Sequence, residues 1–219
     1  MNRKNTGIQM TGKALLFING VPPKILPEVE DYSLIACSDG AFHYLKEKKF
    51  PLSKLDFISG DFDSHAGNDE GVYQEKFIYT PDQDKTDFEK SLEIIKNRGF
   101  TEVHVYGASG GEMDHFLGNL TVAFKFKNLL RITFYDEFAT YFFSPNQLVL
   151  NDVQHRTISL YPFPETKSVT TTGLNWSLNN ENLNLTTRIG TRNFAKESQV
   201  TIEFEEGDLI IFLSHQPSE

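Results

Sequence analysis

A single cysteine, Cys37, stands in 219 residues, so no intrachain disulfide is available. It lies in the apolar run "SLIACSDG", which reads as a buried strand with the thiol as a small core hydrophobe. Long hydrophobic runs are absent too. "ALLFI" near the start is too short for a signal-peptide core, and nothing approaches the length of a membrane span. The expectation is a soluble, cytoplasmic protein without membrane contact. Positive charge is scarce: 21 Lys and Arg against 30 Asp and Glu leave a net charge of −9. That excludes the basic footprint of a nucleic-acid binder, and it means that a polyphosphate ligand needs a metal ion beside it. Neither an internal repeat nor a low-complexity linker is present. With 39% apolar and 23% charged residues, the chain is globular and long enough for one large domain or two small ones.

The first two thirds alternate between two periodicities. "ALLFING", "SLIACSDG", "LDFISGD", "FIYT", "EVHVYG" and "RITFYDE" read as short strands. Between them, "AFHYLKEKK", "KTDFEKSLEIIKNRG" and "DHFLGNLTVAFKFK" carry apolar residues at helical spacing, such as Phe88, Leu92 and Ile95. Such alternation predicts a mostly parallel sheet with helices on its faces, a Rossmann-like α/β domain over residues 1–140. Beyond it, short β-branched and aromatic segments follow one another without a helix. Residues 141–219 are therefore predicted to form an all-β sandwich.

Three stretches carry the chemistry. In "LDFISGDFDSHAG", Asp61 and Asp63 follow an apolar strand at i and i+2, so both carboxylates point to one side. Ligands of open α/β sheets gather at the carboxyl ends of strands. Two converging carboxylates with Ser64 beside them suit Mg²⁺, which takes oxygen ligands; two turn-forming aspartates would look the same locally. In "TPDQDKTDFEKSL", Asp82, Asp84 and Asp87 lie between a strand and a helix. Thr86 with Glu89 fits a capping box, but capping does not use three aspartates. The two acidic loops point to one shared metal site. In "VYGASGGEMDHFLGN", Gly107, Gly110 and Gly111 lead into a helix with Asp114 as the expected N-cap, a turn suited to a phosphate. Walker spacing is absent.

Together, "GDFDS", "TPDQDKTDF", "GGEMDHFLGN" and "TTTGLNWSL" resemble the thiamin pyrophosphokinase family, over about residues 36 to 213. The resemblance implies transfer of pyrophosphate from ATP to the hydroxyl of thiamin, with AMP released. It also implies a homodimer with active sites at the subunit interface. By position, Asp61, Asp63 and Asp87 correspond to the Mg²⁺ ligands, and these with Asp84 form the expected catalytic set, Asp84 as base. Asp39, Gly40, Ser64, Gln83, Thr86, Gly107, Gly110, Gly111, Asp114 and His115 fall on the nucleotide and metal side. Trp176, Thr191, Arg192 and Asn193 fall on the thiamin side, where cation–π contact with Trp176 suits a cationic substrate.

Two positions depart from the family pattern. Glu112 stands where Arg is usual, and Arg192 where Ser is usual, which suggests that Arg192 supplies a charge that position 112 lacks. A relative that binds thiamin or nucleotide without turnover is the non-enzymatic alternative. A glycosyltransferase with a metal-binding Asp-x-Asp pair is another, although it would not need the "DQDKTDF" loop or the β-rich tail.

Overall fold

The computed structural model describes residues 12–61 and 73–217. Asp63 and Ser64 lie outside the described residues. The chain divides between Asp136 and Glu137 into two compact units, a few residues before the expected boundary at 140.

The first unit holds six strands, β1 (Lys13–Phe17), β2 (Tyr32–Ser38), β3 (Phe57–Gly60), β4 (Phe77–Tyr79), β5 (Glu102–Tyr106) and β6 (Arg131–Tyr135). They lie side by side in the order β4-β3-β2-β1-β5-β6. Every pairing among them is parallel. Among the described residues, the α-helices between strands are α1 (Asp39–Glu47), α2 (Asp87–Asn97) and α3 (Met113–Phe126). Leu15, Leu16, Phe17, Ile35 and Cys37 are almost fully buried, as expected for central strands covered on both faces. Burial and the neighbouring Asp39 push the Cys37 thiol well above its usual range, which fits an inert core residue.

Strand order reverses between β1 and β5. The crevice at their carboxyl ends is where such sheets bind ligands.

Helix starts differ in detail from the sequence pattern. The Thr86 hydroxyl accepts the Glu89 amide at 3.2 Å, which caps α2. Glu89 does not complete the box; its carboxylate pairs with Lys125 of α3 at 3.1 Å. Helix α3 begins at Met113 with Glu112 as N-cap, so Asp114 is already helical. Its carboxylate accepts the next amide, that of His115, at 2.9 Å.

The second unit has no helix among the described residues. Its strands are β7 (Ala139–Phe143), β8 (Gln147–Leu150), β9 (Arg156–Thr172), β10 (Glu181–Asn184), β11 (Gly190–Phe194), β12 (Val200–Glu203) and β13 (Glu206–Pro217). All their pairings are antiparallel. The segments "RTISLYPF" and "KSVTTTG", which look separate in sequence, are one strand, β9. Pro162 and Pro164 do not break it: the β13 ladder runs past them, from Pro217↔Arg156 to Glu206↔Lys167, with register shifts where proline supplies no N–H. Ile158, Leu160, Val169, Leu183, Ile202 and Ile211 meet in one apolar core.

Candidate active site

The β3 strand ends at Gly60, and Asp61 is the next residue. Three hydrogen bonds tie this end to the second acidic loop and its helix, and a fourth lies within that helix. The Thr80 amide donates to the Gly60 carbonyl at 2.9 Å. Ser59 and Ser91 hydroxyls, both fully buried, meet at 2.7 Å. Ser91 donates onward to the Asp87 carbonyl at 2.6 Å, so it accepts from Ser59. Gln83 Nε2 donates to Asp61 Oδ2 at 3.3 Å. The two acidic segments, 22 residues apart at that last contact, are one structural object.

Lys90, one turn into α2, was not singled out by the sequence reading. Its side chain is only 7% exposed, and Nζ lies 2.8 Å from Asp87 Oδ1. It also donates to the Thr80 carbonyl at 2.8 Å. Lys85, by contrast, is partly exposed and pairs with Glu93 at 2.7 Å; that hydrogen bond raises its pKa.

Asp39 is buried where β2 turns into α1, and its Oδ1 accepts the Gly40 amide at 2.6 Å. Its carboxylate leans over Gly60, where an added Cβ would lie 2.3 Å from it. Only glycine fits there. The neighbouring Ser38 hydroxyl is buried and has no hydrogen-bond partner among the described residues.

On the other side of the crevice, the glycine turn is pinned to the sheet. Asn119 Nδ2 donates to the Ala108 carbonyl at 2.9 Å. Ser109 Oγ donates to Asp136 at 3.1 Å. Gly107 has φ +79°, and an added Cβ would lie 2.2 Å from the Ile18 carbonyl; one on Gly20 would lie 2.2 Å from the Gly107 carbonyl. Backbone lies directly on backbone here.

These pieces surround one cavity of about 600 Å³ within the first unit. Asp39, Asp61, Gln83, Thr86, Asp87, Gly110, Gly111, Asp114 and His115 of the expected residues line it, together with Ser38, Lys90 and Asn119. Gly40 and Gly107 shape its backbone without lining it. Asp84 does neither. It is exposed, and its amide donates to Asp82 Oδ1 at 3.0 Å in a turn of the loop. The structure therefore does not bring Asp84 to the cavity as a base. His115 and Glu112 are both exposed, 3.7 Å apart.

The donors described at the acidic pole, the carboxylates of Asp39, Asp61 and Asp87, are oxygens. Among the described residues, no three acidic, His or Cys side chains cluster tightly enough to hold a metal alone. Two carboxylates facing one cavity still fit Mg²⁺, which keeps waters and completes its shell with substrate phosphate. The buried Ser38 hydroxyl, unpartnered in the cavity wall, points the same way, because such a group is costly unless a ligand satisfies it.

The remaining expected residues lie in the second unit. Trp176 is 59% exposed, on a bend between strands rather than leading one. Its ring meets Phe194 edge-on at 5.5 Å. Asn193 is buried and grips the Trp176 backbone from both sides, accepting its amide at 3.2 Å and donating to its carbonyl at 2.7 Å. Thr191 and Arg192 are exposed at a register shift of β11 against β9. Arg192 has φ 57°, and its amide donates to Ser159 Oγ at 2.9 Å.

Two family models match the chain: the catalytic domain of thiamin pyrophosphokinase over residues 27–134, and its vitamin B1 binding domain over 146–209. The chain is 26% identical to a thiamine pyrophosphokinase of Bacillus subtilis, with 92% of this chain and 99% of that one covered. It is 31% identical to thiamine pyrophosphokinase 1 of Oryza sativa subsp. japonica, over 74% of this chain and 66% of that one. The solved Bacillus subtilis enzyme superposes with a TM-score of 0.78 at 25% identity, covering 92% of this chain and 98% of the other. The matched segments hold both acidic loops, the glycine turn and Trp176, and the chain belongs to the thiamin pyrophosphokinase family.

Proposed function

We propose that this chain is a thiamin pyrophosphokinase, which transfers the pyrophosphoryl group of ATP to the hydroxyl of thiamin and releases AMP. The observation that carries this reading is a cavity lined by both acidic loops and the glycine turn. A metal-dependent glycosyltransferase needs neither the "DQDKTDF" loop nor a vitamin-binding unit, and that alternative is set aside. In architectural terms, the parallel unit is Rossmann-like and acts as the nucleotide side. The antiparallel unit is a β-sandwich and acts as the thiamin side.

The reaction needs positioning and charge neutralisation more than covalent help from the protein. The thiamin oxygen forms a bond to the β-phosphorus and releases its proton to solvent while the bond from that phosphorus to the α,β-bridging oxygen breaks, so AMP leaves with that oxygen. Asp61 and Asp87 would hold Mg²⁺, with Asp63 as the third expected ligand. When bound, the ion offsets phosphate charge and orients the transferred group. Gln83 steadies Asp61, and Lys90 with Thr80 steadies Asp87. The glycine turn lets phosphate oxygens approach backbone N–H groups at the start of α3. Trp176 offers an exposed aromatic face to the thiazolium cation, a contact worth about 0.5–2 kcal/mol. Asn193 holds the Trp176 backbone that carries that face. A homodimer with active sites shared between subunits completes the reading; light scattering that shows a fully active monomer would argue against it.

The deciding assay follows AMP and thiamin pyrophosphate from ATP, with and without thiamin and Mg²⁺. Equal amounts of both products, dependent on both additions, are expected. Asp61→Asn and Asp87→Asn should each lower turnover by orders of magnitude while the fold survives. Near-normal rates in either variant, or ADP as the nucleotide product, would refute the assignment.

A further inference from the structure

We infer that Lys90 is an internal counter-ion. In the metal-free chain its buried ammonium balances the carboxylates that Mg²⁺ balances in the loaded enzyme. The inference rests on the reading of Asp61 and Asp87 as Mg²⁺ ligands and adds to it a residue that competes with the ion.

A lysine side chain only 7% exposed is rarely left without a partner. Lys90 has two partners from two different segments: Asp87 Oδ1 at the start of α2 and the Thr80 carbonyl after β4, each at 2.8 Å. The ammonium thereby spans the two ends of the second acidic loop. Thr80 in turn donates its amide to Gly60, the residue before Asp61. The charge sits where both acidic segments meet.

Among the described residues, the other basic side chains of the cavity wall do not serve this purpose. Lys85 is committed to Glu93 and Asp82. His115 is exposed and faces Glu112. Asp39, Asp61 and Asp87 line the same cavity, and like charges in a partly dry site raise one another's cost. A fixed positive charge in the wall lowers that cost before any ion arrives.

The consequence is antagonism. Lys90 and Mg²⁺ offset the same negative charge, so each reduces what the other gains. Without the ammonium, the empty site is more strained and the ion binds more tightly. A merely structural ion pair would produce no such coupling.

The test uses the full chain and needs no turnover. Melting temperatures are measured for the native protein, Lys90→Met and the double variant Asp87→Asn/Lys90→Met, each in EDTA and in saturating Mg²⁺. Mn²⁺ affinity is measured by water-proton relaxation. In EDTA, Lys90→Met should melt about 5 °C or more below the native chain. Mg²⁺ should recover at least roughly half of that loss, and Mn²⁺ should bind roughly threefold or more tighter. The double variant carries neither charge of the pair and should melt near the native value in EDTA. An equal deficit for Lys90→Met with and without Mg²⁺, together with unchanged Mn²⁺ affinity, would overturn the inference. A double variant no more stable than Lys90→Met would overturn it too, by showing that the lysine stem matters and not its charge. If Lys90→Met does not fold, the double variant decides alone. Native protein that binds no Mn²⁺ would instead refute the metal reading on which the inference rests.

Discussion

The hydroxyls of Ser59 and Ser91 meet at 2.7 Å, fully buried between β3 and α2. Ser91 passes this contact to the Asp87 carbonyl, so the α2 N-terminus is fastened to the strand that presents Asp61. Ser91→Ala leaves the Ser59 hydroxyl without its partner and should cost about 1–3 kcal/mol of stability. Replacing both serines by alanine should cost less than the sum of the two single changes, which a double-mutant cycle by urea unfolding would read.

Ser38 presents the opposite case. Its hydroxyl is buried in the cavity wall with no partner among the described residues. Ser38→Ala removes that unsatisfied group, and stability should stay level or rise by up to about 1 kcal/mol. If ligand satisfies the hydroxyl, kcat/KM for ATP should fall on the order of tenfold, about 1.4 kcal/mol. Unchanged ATP kinetics would show that the hydroxyl plays no part in binding.

Asn193 holds the Trp176 peptide from both sides. Asn193→Ala should raise KM for thiamin by roughly tenfold with a smaller change in KM for ATP. Trp176 is the only tryptophan, so its fluorescence reports directly on the ring. The variant should shift the emission and weaken its quenching by thiamin. Identical spectra and titrations would remove Asn193 from the thiamin side.

His104 lies between Tyr32, whose hydroxyl is 2.9 Å from Nδ1, and Glu102, whose Oε1 is 3.2 Å from Nε2. Lys13, Arg131 and Tyr135 complete its surroundings. Burial holds the imidazole below its usual pKa of 6.5, although Glu102 pulls the other way. The unfolded chain then binds this proton more readily than the folded one. Stability contributed here is therefore present above pH 6.5 and lost as pH falls from there towards the folded pKa. Burial raises the Glu102 pKa, but the Arg131 hydrogen bond and charge, with Lys13 and His104, together lower it below 4.5, so its contribution is lost only as pH falls below that value. His104→Gln should flatten the dependence of melting temperature on pH below 6.5 while leaving the carboxylate limb in place.

The order of elements was legible because their periodicities differ. Phe88, Leu92 and Ile95 at helical spacing became the buried face of α2, and the alternation of "EVHVY" became β5. The site was legible where chemistry repeats in sequence: Asp61 and Asp87 do face one cavity. Legibility failed where role depends on direction. Asp84 has the right type and spacing but is exposed in a turn and does not line the cavity, while Lys90 hides in a helical pattern that any surface lysine could share. Asn119 and Ser38 were missed for the same reason, since their part depends on which backbone lies opposite. β9 read as two strands because proline interrupts a ladder in sequence more visibly than in space.

A Cβ on Gly20 would lie 2.2 Å from the Gly107 carbonyl, and one on Gly107 would lie 2.2 Å from the Ile18 carbonyl. No side chain can yield to make room, and a second change elsewhere cannot restore it. In a saturation library, the least replaceable positions should then include these two loop residues, which contribute almost nothing to the apolar interior, while Leu15 or Ile58 should accept other aliphatics. A variant hunted for altered nucleotide choice is better sought on the α3 wall of the cavity than in the turn that frames it.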